Sequence, residues 1–118
     1  MARDIDPQLL KGVLSLLLLH LLAERESYGY EVVQRLGDLG LTDVAAGTVY
    51  PALSRLERER RLTSRLVESD EGPARKYYRP TPAGLAALAA GVDQWRSLVD
   101  LVSRQLSRPT ETTRGTNR

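Results

Sequence analysis

Apolar positions along the chain fall into four helical stretches and one strand pair. From Leu9 to Ala23 leucine and valine occupy nearly every face: Leu9, Leu10, Val13, Leu14, Leu16, Leu17, Leu18, Leu19, Leu21 and Leu22. That is the pattern of a helix buried on both sides. In so small a protein it points to a second subunit. Met1 to Pro7, before it, is short and polar and is expected to be mobile. A second helix is expected from Tyr28 to Leu39, with Val32, Val33, Leu36 and Leu39 inward and Ser27 at the N-cap position. Gly37 and Gly40 mark its end. After the short link Thr42-Asp43-Val44, a third helix spans Gly47 to Arg58. At 3.6 residues per turn Val49, Ala52, Leu53 and Leu56 share one narrow arc. Gly47, Pro51, Ser54 and Arg58 point the other way, flanked by Thr48, Tyr50 and Arg55.

Leu62 to Glu68 and Ala74 to Arg79 read as strands, joined by the turn composition Ser69-Asp70-Glu71-Gly72-Pro73. Thr81-Pro82 then starts a long helix, with threonine as N-cap and proline in the first turn. Leu85, Leu88, Val92, Trp95, Val99, Val102 and Leu106 recur at alternating steps of three and four, and Leu98 and Leu101 widen the stripe. This is a 3.5-residue repeat of the kind that seams two helices together. Packing on the first helix is the other use of the same stripe, and both are compatible.

Two short helices joined by a glycine-containing turn, followed by a hairpin, form the winged variant of the helix-turn-helix pattern. The fold class expected is mainly α with a small β-hairpin. The expected organisation is a winged helix-turn-helix domain over 1–80, a dimerisation helix over 81–107 and a disordered tail over 108–118, where apolar residues are absent.

Two local conflicts stand out in the third helix. Pro51 lies inside it and clashes with the carbonyl of Gly47, four residues back, in the turns where the cost is smallest. At the far end no glycine closes the helix, since Glu59-Arg60-Arg61 runs on to Leu62. A residue with a Cβ is therefore expected in the left-handed cap, at about 1 kcal/mol.

Charge changes the picture only locally. The net charge of +2 is too small to argue a nucleic-acid partner. Between Gly47 and Pro80, however, eight basic residues face five acidic ones. The surplus sits on the third helix and the hairpin. The outer face of that helix combines small residues, hydroxyls, an aromatic ring and guanidiniums, and meets no acid before Glu57. Small residues permit close approach to a groove, and arginine forks onto guanine or phosphate. Arg75 and Lys76 on the second strand are placed to reach a phosphate backbone, or else to solubilise an edge hairpin.

Composition also removes classes. There is no cysteine, hence no disulfide framework, which fits a cytoplasmic protein. His20 is the single histidine, without the partners of a metal site or a triad. No glycine-rich phosphate loop is present, so neither catalysis nor a cofactor is expected. The leucine-rich first stretch is too short to span a bilayer and contains Lys11, Ser15 and His20. It also lacks a cleavage-site pattern, because Glu24-Arg25-Glu26 follows it. No membrane association is expected.

Four stretches together resemble the PadR-type transcriptional regulators: Tyr28-Gly29-Tyr30, Gly47-Thr48-Val49-Tyr50-Pro51-Ala52-Leu53-Ser54-Arg55-Leu56-Glu57, Gly72-Pro73-Ala74-Arg75-Lys76-Tyr77-Tyr78, and Thr81-Pro82-Ala83-Gly84. The resemblance runs from about Leu9 to Leu106, and the length is similar to that of the short members, whose C-terminal part is a single helix. It implies a dimeric winged-helix repressor acting on inverted-repeat operators in double-stranded DNA. The first and last helices would form the dimer, the third would enter the major groove, and the wing would touch the backbone or minor groove. Leu14, Leu18, Leu88, Val92, Trp95, Val99 and Val102 would then line the dimer interface. Trp95 matches the position where multidrug-sensing short members stack flat aromatic ligands; plain interface packing is its other reading. Three departures concern the edges of the third helix and the wing: Arg60 where the family usually has glycine, Leu66 where a tryptophan is common, and Ala45-Ala46 where a Ser or Asn cap is usual.

The expected DNA-contacting residues are Tyr28, Gly47, Thr48, Tyr50, Pro51, Ser54, Arg55, Arg58, Arg75 and Lys76. Arg55, Arg58, Arg75 and Lys76 would supply phosphate affinity. Thr48, Tyr50 and Ser54 would fix register, and Tyr28 would bond a phosphate at the start of the second helix. A small aromatic effector between the subunits would release the DNA. A protein-interaction winged helix and an activator without ligand are the alternatives left open by the sequence.

Overall fold

The computed structural model describes residues 5–42, 44 and 46–109. Asp43 and Ala45, part of the expected link and cap before the third helix, lie outside the described residues, as do residues 1–4 and the expected tail from 110 onward.

Helix α1 (Pro7–Glu24) begins at Asp6, whose carboxylate accepts the Gln8 N–H at 2.8 Å, with Pro7 in the first turn. It therefore starts slightly before the apolar run. A two-residue strand β1 (Ser27–Tyr28) leads to α2 (Gly29–Asp38). Helix α3 (Ala46–Arg58) follows, then strands β2 (Leu62–Ser69) and β3 (Gly72–Pro80), then α4 (Pro82–Leu106). The sheet order is β1-β3-β2, antiparallel throughout, with Ser27 opposite Tyr78 and Ser64 opposite Tyr78 on the other side.

β1 corrects the reading of Ser27. Its side chain does not cap α2; the N-cap is Tyr28, which makes no side-chain capping bond. Ser27 is instead buried in the sheet, and its hydroxyl accepts from Arg35 Nη1 at 2.9 Å. The same guanidinium bonds the Arg25 carbonyl at 3.0 Å. A buried hydroxyl needs such a partner. Edge pairing with β3 overrode the local capping preference, because it satisfies backbone groups that would otherwise be orphaned.

The core gathers Leu14, Leu18, Leu19, Leu21 and Leu22 of α1, Val32 and Leu36 of α2, Val49, Ala52, Leu53 and Leu56 of α3, and Leu62 and Tyr78 of the sheet. The α3 arc read from periodicity is buried as expected. Three positions differ. Leu39 is half exposed, because α2 ends before it and Gly40 turns the chain away at φ 100°. Leu14 and Leu18, assigned to the dimer face, are buried within the subunit's own core. Helix α1 has one face turned fully inward, and these two leucines lie on it.

Helix α4 leaves the core partway along. Gly84 abuts the Arg61 carbonyl so closely that a methyl group there would overlap it. At Gly91 a Cβ would come within 2.7 Å of Leu16 Cδ1. Gly84 thus permits close approach of α4 to the end of α3, and Gly91 close approach of α4 to α1. From Asp93 to Leu106 every residue is exposed. Trp95, Leu98, Val99, Leu101, Val102 and Leu106 thus form an uncovered apolar stripe.

Candidate nucleic-acid interface

With Val49, Ala52, Leu53 and Leu56 facing inward, α3 presents Gly47, Thr48, Tyr50, Pro51, Ser54, Arg55 and Arg58, all exposed. The interior proline is accommodated. Gly47 has open space where a Cβ would be. Nothing within the described chain requires glycine there, although glycine weakens a helix interior by about 1 kcal/mol relative to alanine.

The end of α3 follows the expected cap. Arg60 adopts φ 63°, the only positive φ of a non-glycine residue among the described residues. The Arg60 N–H donates to Glu57 O at 3.0 Å and the Arg61 N–H to Leu56 O at 2.9 Å. This is the paired bonding of a Schellman closure, with arginine in the place that favours glycine.

The flanks of α3 differ in what they face. Thr48 borders a cleft with Leu10, Lys11, Leu14 and Val44 at the start of α1. Arg55 also turns towards α1, donating from Nη2 to Ser15 Oγ at 3.1 Å. On the opposite flank Tyr50 and Ser54 border an open groove shared with Tyr28, Tyr30, Arg75 and Lys76. Gly29 forms part of its floor. The Tyr50 ring lies against it so closely that a side chain at 29 would displace the ring. The expected DNA contacts include Tyr28, Tyr50, Ser54, Arg75 and Lys76 of this groove but not Gly29 or Tyr30, which the sequence marks only within the stretch Tyr28-Gly29-Tyr30.

The wing cations are unequally engaged. Arg75 lies over the Tyr28 ring at 4.5 Å from its centroid and makes no ion pair among the described residues. Tyr28 also meets Tyr77 edge to face at 5.3 Å. Lys76 Nζ sits 2.8 Å from Glu57 Oε1, and Glu57 Oε2 accepts from the Ser64 hydroxyl. The Lys76 bond, then the Ser64 bond, hold the Glu57 carboxyl below its ordinary range against a smaller opposing effect of burial. The Glu57 bond likewise raises Lys76. On the other sheet face Arg65 pairs with Glu26, which lowers Glu26. Arg58 makes no ion pair among the described residues. Of the four cations expected at DNA, Arg58 and Arg75 are thus available, while Arg55 and Lys76 are held by neighbouring elements.

Val92 and Trp95 line an apolar cleft with Leu9, Leu16, His20 and Leu88 between α1 and α4. Among the described residues no three His, Cys, Asp or Glu side chains cluster as metal ligands.

Comparison with known proteins agrees with this architecture. Residues 18–90 match the model of the transcriptional regulator PadR-like family. A transcriptional regulator of Mycobacterium tuberculosis is 42% identical over 78 residues, covering 66% of this chain and 71% of that protein. The crystal structure of a PadR-like transcriptional regulator from Bacillus cereus superposes with a TM-score of 0.77 at 36% identity, covering 86% of this chain and 99% of that one. The structure of Bacillus subtilis PadR in complex with operator DNA gives a TM-score of 0.63 at 27% identity, covering 68% of this chain and 45% of that one. The four helices and the three-stranded sheet among the described residues, with the match across residues 18–90, lead to one conclusion: this chain belongs to the PadR-like family of transcriptional regulators.

Proposed function

We propose that the protein is a homodimeric repressor that binds an inverted-repeat operator through α3 and the wing, and that an aromatic effector releases it. The carrying observation is the division of exposed surface. One exposed surface is the outer face of α3 with Arg58 and Arg75, and another is the uncovered stripe of α4. A second copy covering the stripe would place two α3 helices on successive major grooves, about one helical turn apart. Gly47 and Pro51 would allow α3 close approach, and Thr48, Tyr50 and Ser54 would fix its register. Arg58 and Arg75 would supply most of the phosphate affinity, with Tyr28 steering Arg75. The related Bacillus subtilis protein, solved with operator DNA, supports the reading.

The effector site would lie beside Trp95, a residue 44% exposed in the single chain. A flat ligand preferring one spacing of the subunits would shift the distance between the two α3 helices. Protection mapping of the upstream region of its own gene, with and without planar aromatic compounds, tests all parts. A symmetric protected site that disappears on adding such a compound is expected. Absence of protection without ligand would remove the DNA reading. Protection that no compound relieves would remove the effector.

A further inference from the structure

We propose that Glu57 is a positioning residue that clasps the wing to the reading helix through Lys76 and Ser64, and that Lys76 serves this clasp rather than a phosphate. The inference rests on the proposal that α3 and the wing bind DNA together.

Glu57 is the sole acid on α3, a helix whose outer face otherwise suits an anion. Its place is explained by where it points. Ser64 lies on β2 and Lys76 on β3, and the ladder puts Ser64 opposite Tyr78 and Leu66 opposite Lys76. Paired residues share a sheet face, and alternate residues along a strand return to it. Ser64 and Lys76 are therefore on the same face, and one carboxylate holds both strands of the hairpin. The Lys76 ammonium also lies 5.5 Å from the Tyr78 ring centroid, and that ring is buried. Beyond the clasp the same face of the wing has no cover: Leu66 is 72% exposed. Glu57 is thus the outermost tie between α3 and the wing on this face before the hairpin runs into solvent. The direction of the tip relative to α3 depends on it.

Arg75, next in sequence, is on the opposite sheet face and stacks over Tyr28. Adjacent wing cations therefore have different tasks. Arg75 presents charge, whereas Lys76 is already neutralised by a carboxylate.

Salt-dependent binding of the full chain to a duplex of its own upstream region tests the assignment. Wild type, Glu57→Gln, Lys76→Met, the double variant, Lys76→Arg and Arg75→Ala are compared at protein concentrations where circular dichroism shows each folded. Glu57→Gln and Lys76→Met are each expected to weaken binding about fivefold, with the double variant no weaker than the worse single. Their slopes of log affinity against log salt should match wild type. Lys76→Arg should bind like wild type, and Arg75→Ala should flatten the slope by about 0.9, the loss of one phosphate contact. A slope flattened by about 0.9 in Lys76→Met, or tighter binding by Glu57→Gln, would overturn the clasp and make Lys76 a phosphate ligand. Additive singles would overturn it as well. A wild-type chain that does not bind the duplex overturns the underlying DNA reading instead, and the clasp with it.

Discussion

The Thr81 hydroxyl donates to the Arg60 carbonyl at 2.6 Å and accepts the Gly84 N–H at 3.0 Å. One side chain thus caps the first turn of α4 and fastens it to the left-handed residue that ends α3. The Thr81 N–H adds a bond to the Arg61 carbonyl at 3.1 Å. Helix α3 and the helix that carries the exposed stripe meet at this joint.

Replacing Thr81 by valine removes both hydroxyl bonds and keeps the volume. Stability is expected to fall by about 1 kcal/mol, the usual cost of a lost N-cap, since the exposed Arg60 carbonyl is left to water. Serine should restore most of it. Urea unfolding of the three proteins measures this, and equal midpoints for valine and threonine would refute the joint.

Arg60 holds a conformation in which its Cβ is unfavourable. Arg60→Gly should stabilise the protein by about 1 kcal/mol, since the Schellman bonds need only the backbone. A lower thermal midpoint for the variant would show that the arginine side chain contributes something the cap argument omits.

Gly47 should respond in two directions. Gly47→Ala is expected to raise stability by about 0.5–1 kcal/mol, because the added methyl meets open space. It should weaken DNA binding if α3 enters a groove at that point. Unfolding and gel-shift titration on the same preparation read the two effects, and gain in both would detach Gly47 from the interface.

Val99 is exposed in the single chain, outside the core that folds it. Val99→Glu should leave the helical circular dichroism intact and yield a monomer in sedimentation. Val92, partly covered by α1, is the harsher site, where glutamate should also lower stability. A folded dimer carrying Val99→Glu would mean that the stripe is not the seam.

The Glu57 clasp fixes a pH dependence. Glu57 has a folded-state pKa below its unfolded one, so its contribution is present above the unfolded pKa and disappears as pH falls through the folded value. Lys76 is raised, so its part is lost only as pH climbs through the folded lysine value. The stability difference between wild type and Glu57→Gln should be flat across neutral pH and shrink in acid, below the ordinary carboxylate range. Its size should be about 1 kcal/mol or less, as for partly exposed pairs. A difference that grows in acid would reverse the assignment.

The sequence by itself determined the four helices, the wing hairpin and the buried arc of α3, but not β1. Periodicity fixed which arc of α3 is buried, because a helix leaves no freedom in where residues three and four apart must point. The missing glycine between Glu59 and Leu62 called for a residue with a Cβ in the left-handed cap, which the structure shows to be Arg60, and Thr81-Pro82 announced α4, because caps are local chemistry. The tertiary structure alone decided what depends on contacts far apart in sequence. It made Ser27 a sheet residue, took Leu14 and Leu18 into the subunit core, and tied Arg55 to Ser15 and Lys76 to Glu57. A charge count along the chain cannot show which cations are already neutralised. That depends on which carboxylate or hydroxyl the fold brings within about 3 Å, and only packing sets that distance.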